Sequence, residues 1–399
     1  MTITLLFDLD DTLLATNMDA FIPAYFNALS SALAEKVAPE VMLPALIGGT
    51  RAMMTNLDPA LTMREVFDAW FFPRLNVDRS MLQAAIDRFY VDVFPSLGAL
   101  TSPILETVPL VDWAFAQGYR VAIATNPLFP LTAIEQRLRW AGLPPEKYPF
   151  DLVTSYENMH FAKETVAYYP EVLAQLGWPE DPVVMVGDDI EREVKPTRAA
   201  GLPVFLVRRS GETSQDLIDV PQGTLDSLRG WLEKVDLSTL KFNIQALPAL
   251  LANLRSTPAA LASLTRSLSP EAWAHKPQPG EWNLTEVICH LRDVEREIYL
   301  PRLKKVLAED NPFLPAVKTD AWPEERNYAG QAGPQVLSEL LQVRKETIAL
   351  ISNLQADGWS RTGRHTVFGP TSLQELVSLM AAHDRTHVRQ VWSNLKALR

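Results

Sequence analysis

Cysteine is almost absent: only Cys289 carries a thiol among 399 residues, so no disulfide can close within the chain. Long apolar runs are missing too. Every apolar stretch meets a charge, a proline or a glycine well short of the roughly 20 residues that a membrane-spanning helix needs, so no bilayer role is expected. The start, MTITLLFDLDDTLL, lacks the basic, apolar, small-residue order of a secretion signal, which makes the cytoplasm the expected compartment. Positive charge is in deficit, with 37 Lys and Arg against 48 Asp and Glu and a net charge of -11. No basic run is long enough to track a polyanion, so nucleic acid is not an expected partner. What is present is ordinary globular composition, 47% apolar and 21% charged. A chain of this length exceeds what one core usually holds, so two or more domains are expected.

Residues 2–7 are β-branched or bulky and apolar, and the run stops abruptly at Asp8-Leu9-Asp10-Asp11, as a buried parallel strand would. The same pattern of apolar strand and polar exit recurs at residues 119–125, 182–187 and 202–207, with helical stretches between. Alternating strands and helices predict an α/β doubly wound parallel sheet. Ligands of such sheets sit beyond the carboxyl ends of the strands, where Asp8, Asp10, Thr125 and Asp188 all fall. Residues 15–100 read as helices only, for instance 20–36 and 62–71, broken by Gly48-Gly49 and by prolines, and form a helical insertion over the sheet. A helix over 223–234 closes this first domain, residues 1–235, and 236–243 is the linker. From 244 to 399 the chain has long amphipathic stretches at 285–307, 334–353 and 372–395 and no convincing buried strand, which predicts an all-α four-helix bundle.

Asp8 and Asp10 occupy alternate positions of an extended segment, so their tasks can differ. A carboxylate attacks phosphorus only if the phosphate's charge is offset by a divalent cation and hydrogen-bond donors. Thr125 and Asn126, at the end of VAIAT, offer donors, and Lys163 adds a positive charge. Asp188 and Asp189 follow VVMVG with hard oxygen ligands suited to Mg²⁺, and Glu193 lies one helical turn further on. An acid-rich turn after a strand is usually only a solvated loop or a helix cap, and a lone Lys is almost always surface. The order of four such segments is what distinguishes this chain.

DLDDT, ATN, a Lys and GDDIERE stand in the order of the motifs of the haloacid dehalogenase superfamily, which residues 1–235 resemble. The resemblance implies that Asp8 is the nucleophile, that Asp10 protonates the leaving oxygen and then activates water, and that Thr125 and Lys163 hold the phosphoryl group. It implies that Asp8, Asp188 and the backbone carbonyl of Asp10 bind Mg²⁺, with Asp189 and Glu193 behind them, and that residues 15–100 form a cap with substrate contacts, among which Arg51 is a candidate. Two positions depart from the common pattern: Glu193 stands where many members have Asp, and Glu164 follows Lys163 where proline is frequent. Because Asp10 is an acid where cleavage of a phosphate ester needs one, a phosphatase of a small phosphorylated metabolite is favoured over a dehalogenase, with a phosphomutase as the alternative.

His383 and His387 are four apart in the helical segment LMAAHDRTHVRQVW and share a face, and His290 lies in another amphipathic segment. Three imidazoles from two helices make a site with open coordination positions, with Asp293 or Asp384 placed to orient a ring. Cys289 points about 100° away from His290 on a helix and reads as a core residue. PQPGEWNLTEVICHLRDVE and AAHDRTHVRQ resemble the DinB-like or YfiT-like four-helix metalloproteins over about 244–397, which implies that His290, His383 and His387 bind Zn²⁺, Ni²⁺ or Fe²⁺. Related members are thiol-dependent transferases or isomerases, so a low-molecular-weight thiol is an expected partner. Three readings stay open here: a phosphatase with an accessory bundle, a metal-dependent S-transferase as the main activity, and a bundle that only binds or oligomerises, with a homodimer among the assemblies considered.

Overall fold

The computed structural model describes residues 2–208 and 217–398. It packs as two units, Met1–Tyr169 with Pro179–Asn243, and Pro170–Trp178 with Ile244–Arg399. Among the described residues no helix is long and apolar enough to cross a membrane.

The first unit contains β1 (Thr4–Phe7), β2 (Leu14–Thr16), β3 (Thr101–Pro103), β4 (Arg120–Ile123), β5 (Leu152–Val153), β6 (Val183–Gly187), β7 (Val204–Val207) and β8 (Gln222–Gly223). Six of these form one parallel sheet in the order β5-β4-β1-β6-β7-β8. All four residues of β1 and all five of β6 are buried, which is why their sequences are unbroken apolar runs: both faces of the sheet are covered. β1 is central. Thr4 lies opposite Arg120 on one side and Val183 on the other, so the chain order reverses across β1 and leaves a crevice at the carboxyl ends.

β2 and β3 pair antiparallel, Leu14 opposite Pro103 and Thr16 opposite Thr101, and so bring together the two ends of the cap. The cap itself holds α1 (Met18–Leu33), α2 (Pro39–Met54), α3 (Met63–Leu75) and α4 (Arg79–Arg88). Gly48-Gly49 does not break a helix, contrary to the sequence expectation, because α2 runs straight through it. The reason is packing: a Cβ at Gly48 would come within 2.4 Å of the Trp70 ring and one at Gly49 within 2.8 Å of the Phe67 ring, so the glycines admit two aromatic side chains of α3. The remaining helices of the first unit are α5 (Thr107–Ala116), α6 (Leu131–Trp140), α8 (Lys195–Ala199) and α9 (Leu225–Leu232), while α7 (Tyr168–Gln175) begins in the first unit and continues into the second.

The second unit contains α10 (Leu247–Thr265), α11 (Pro270–Ala274), α12 (Leu284–Val294), α13 (Leu300–Ala308), α14 (Trp322–Glu325), α15 (Gly333–Ile351), α16 (Ala356–Ser360) and α17 (Leu373–Lys396). α10 and α12 each pack against both α15 and α17, which makes the four-helix bundle. Capping boxes start the two helices that carry histidines, Asn283 with Glu286 for α12 and Ser372 with Glu375 for α17. Inside the bundle the buried guanidinium of Arg344 pairs with the buried carboxylates of Glu295 (2.8 Å) and Asp384 (2.7 Å). No fully buried strand is expected in this region and none is found among its described residues, but three short half-exposed ones, β9 (Phe313–Leu314), β10 (Thr362–His365) and β11 (Gly369–Ser372), form a small sheet in the order β11-β10-β9 beside the bundle. These strands have two to four residues and alternate exposed with buried positions, so they carry no continuous apolar run.

Three helical turns widen to π geometry, at Phe89–Val93, Ile190–Val194 and Glu295–Tyr299. Each ends two residues before a proline, Pro95, Pro196 or Pro301. Proline has no N–H to give to the ladder, and the wider turn absorbs the missing bond.

Candidate functional site

The chain leaves β1 at Asp8 and turns at once, with Asp11 at a φ of 56°, its backbone N–H on the Leu14 carbonyl at 2.7 Å and its carboxylate accepting the Thr16 N–H at 3.0 Å. This tight turn presents Asp8 and Asp10 at the crevice. Asp8 is 5% exposed, and its Oδ1 accepts from the Lys163 ammonium at 2.5 Å. The same ammonium donates to Glu193 Oε1 at 2.8 Å, and the other oxygen of Glu193 accepts the Asp189 N–H at 2.9 Å. Ligand oxygens of Asp8, Asp188 and Glu193 all lie within 4.8 Å of one another. Thr12 donates to Asp188 Oδ1 at 3.3 Å. Glu193 reaches in from the π turn at Ile190–Val194 over the bare face of Gly187, where a Cβ would stand 1.9 Å from its Oε2.

Three carboxylates therefore share this space with one ammonium. Burial works against the charge of Lys163, yet Asp8 and Glu193 outweigh it and hold the ammonium well above its usual range. Burial, reinforced by Asp8 and Asp11, pushes the Asp188 carboxyl up to about 7. Burial and then Asp8 also push Glu193 upward. Negative charge in excess, on hard oxygens within reach of one point, is what a divalent cation such as Mg²⁺ neutralises, and the donor set fits it.

The residues expected from sequence separate into groups. Asp8, Lys163, Asp188 and Glu193 meet in the cluster. The Asp10 carboxylate lies outside it and instead pairs with the guanidinium of Arg137 from α6. Asp189 caps the π turn, accepting the N–H groups of Glu191 and Arg192, and pairs with the Arg192 side chain. Thr125 is buried and lines the cavity above the cluster, its carbonyl held by Thr154 (2.8 Å) and Tyr168 (2.9 Å). Asn126 accepts the Lys163 N–H at 3.2 Å and donates to Glu164 at 3.1 Å, so it fixes the segment that carries the lysine. Arg137 belongs to none of the sequence motifs. Its signal is a charge on the buried stripe of α6, beside Ala133, Ile134 and Leu138.

The second cluster lies in the bundle. His290 of α12 and His383 and His387 of α17 bring ring nitrogens within 4.8 Å of one another, and the Nε2 atoms of His290 and His383 are 3.1 Å apart. Burial, followed by the neighbouring imidazoles, lowers His290 to about 3, and burial and His387 lower His383 to about 3; burial also lowers His387, against the hydrogen bond it donates to Gln390. The rings are thus neutral at physiological pH, as metal ligands must be. Trp282 covers them, its ring 5.0 Å from His290 and stacked at 6.1 Å on His387. The orienting carboxylates expected from sequence are engaged elsewhere: Asp293 with Arg292 (2.7 Å), Tyr328 (2.8 Å) and Arg326 (3.0 Å), and Asp384 with Arg344. Instead, His387 Nδ1 meets Gln390 Oε1 at 3.0 Å. Cys289 is buried with its thiol toward the Tyr328 carbonyl, 3.9 Å away.

Comparison with known proteins divides the chain the same way. Residues 4–201 match the family model of the haloacid dehalogenase-like hydrolases and residues 253–391 that of the DinB superfamily. The uncharacterised protein YuaE of Bacillus subtilis is 25% identical over 142 residues, which is 32% of this chain and 85% of YuaE. Among solved structures, YfiT of Bacillus subtilis, a four-helix bundle, is 19% identical, covering 40% of this chain and 90% of its own, with a TM-score of 0.36. A haloacid dehalogenase-type phosphatase of Thermococcus onnurineus is also 19% identical, covering 58% of this chain and 98% of its own, with a TM-score of 0.38.

Proposed function

We propose, for a chain that joins a haloacid dehalogenase-like hydrolase to a DinB-superfamily domain, that the first unit is a Mg²⁺-dependent phosphatase working through phosphorylated Asp8. The observation that carries this reading is the position of Asp8: a buried nucleophile candidate bonded to one ammonium and within 4.8 Å of two further carboxylates. Asp8 Oδ attacks phosphorus, the ester P–O bond breaks, and Asp10, which must first leave its ion pair with Arg137 and take up a proton, gives that proton to the departing oxygen. Asp10 then takes a proton from water as the water attacks the same phosphorus. The P–O bond to Asp8 breaks, releasing phosphate and restoring the carboxylate. Lys163 and Thr125 hold the phosphoryl oxygens, and Asp8, Asp188 and Glu193 offer ligand oxygens to the cation. When bound, Mg²⁺ offsets the negative charge of the phosphoryl group and lets a carboxylate approach it. Asp8→Asn is expected to abolish Mg²⁺-dependent phosphate release from phosphomonoesters; turnover that survives this replacement overturns the reading.

In the second unit, three neutral imidazoles around one point support a site for Zn²⁺, Ni²⁺ or Fe²⁺ that leaves positions for an exogenous ligand, and a low-molecular-weight thiol is the proposed one. Metal analysis of the full chain and of His290→Ala tests the site, and conjugation of a thiol to an electrophile tests the activity. If metal is lost in the variant while wild type shows no conjugation, a binding or oligomerisation role takes the place of catalysis.

A further inference from the structure

The carboxylate cluster opens into a cavity of about 570 Å³ roofed by the cap. Away from the cluster its wall is apolar, with Ile22, Phe26, Leu33, Leu46, Phe71 and Ile86 among the lining residues. Apart from Asp19, which is exposed to solvent, the polar groups that line it away from the cluster are already engaged. Arg79 is held by Asp68 and donates to Tyr156, and Arg192 is held by Asp189. The hydroxyls of Tyr25 and Tyr90 bond each other at 2.8 Å, and Thr50 donates to the Leu46 carbonyl at 2.9 Å. Of the wall's buried donors, Arg137 Nε is the one with no hydrogen-bond partner among the described residues, its guanidinium lying 5.3 Å from the Phe21 ring and 5.1 Å from the Phe129 ring.

A sugar, nucleoside or polyol phosphate entering this chamber would give up water around several hydroxyls and find few partners for them. Each hydroxyl left unpaired weakens binding by about tenfold or more. A second phosphate would meet, among the described lining residues, no cation that is not already paired. An apolar body meets the opposite balance, because every methylene moved from water to the wall favours binding by about fourfold. We infer that the substrate of the phosphatase site is a phosphomonoester with a bulky apolar body, aryl or alkyl, that fills the cap chamber. This rests on the phosphatase reading and narrows it to a substrate class.

The test uses the full chain with Mg²⁺ and a series of n-alkyl phosphates from ethyl to octyl, with 1-naphthyl phosphate, glucose 6-phosphate and glycerol 3-phosphate alongside. The expected result is a kcat/KM that rises about three- to fourfold per methylene, with naphthyl phosphate above both polyol phosphates by at least about a hundredfold. Binding of the matching alkyl phosphonates to Asp8→Asn, measured by calorimetry, should follow the same slope without needing turnover. Leu46→Trp, which fills the chamber, should lower the octyl-to-ethyl ratio of kcat/KM by more than about tenfold. Ile86→Asn, which places an amide in the wall, should lower the same ratio and serves if the larger residue prevents folding. A flat chain-length series, or polyol phosphates turned over faster than naphthyl phosphate, overturns the inference and leaves the phosphatase standing. If no phosphomonoester is hydrolysed and acetyl phosphate fails to phosphorylate the wild-type chain at Asp8, the phosphatase reading fails and this inference with it.

Discussion

At Lys163 one ammonium faces two carboxylates, and a third lies within the same few ångströms. Removing it should disturb the chemistry more than the fold. Lys163→Met is expected to lower kcat by about 10²–10³, the range seen when one donor to a developing charge is lost, in steady-state assays of phosphate release. A different balance holds at Arg344, whose guanidinium pairs with the buried carboxylates of both Glu295 and Asp384. Arg344→Ala leaves both unpaired and should cost about 3–5 kcal/mol in denaturant unfolding, whereas Glu295→Gln keeps a one-to-one pair and should cost less. The Glu295 loss should also depend on pH. Burial raises this carboxyl in the folded state, against Arg344, so its contribution is largest in acid and fades as pH rises through the folded value. The gap between wild type and Glu295→Gln is therefore expected to be smaller near neutrality than in mild acid. Cys289 is fully buried, and iodoacetamide should modify it only after unfolding, as mass spectrometry of native and urea-treated protein would reveal.

At the scale of elements, helix starts were open to local reading while long-range partners were not. Ser372 and Glu375 announce the start of α17 three residues apart, and Ser372→Ala should cost about 1 kcal/mol in urea unfolding without changing the metal content of the bundle. The strands TLLF and VVMVG stand out because full burial on both sheet faces leaves no charged position to interrupt them. β9 to β11 are too short and too half-exposed to leave such a trace. Partners far apart in sequence were equally hidden. Nothing near Asp384 or Asp293 in the sequence indicates that Arg344 and Tyr328 engage their carboxylates, so both looked free to orient a histidine. The π turn at Ile190–Val194 explains a further gap. An ordinary α-helical count puts Glu193 merely one turn past Asp189, whereas in the structure its carboxylate turns back over Gly187 into the cluster.

For the whole molecule, each candidate metal set is contained in one unit, the carboxylates in the first and the imidazoles in the second. The two should therefore fail independently. His383→Ala is expected to lose the transition metal and keep Mg²⁺-dependent phosphate release, while Asp188→Asn should do the reverse, with metal analysis and a phosphate assay run on the same preparations. A variant that loses both would contradict this separation.

The bare face of Gly187 also constrains how this site can change by descent. A methyl group there collides with the carboxylate of Glu193, yet aspartate at 193, shorter by one methylene, would draw that carboxylate back. Gly187→Ala should be deleterious in the present background and tolerated once Glu193→Asp has come first, so the two replacements are epistatic and only one order of mutation leads through working intermediates.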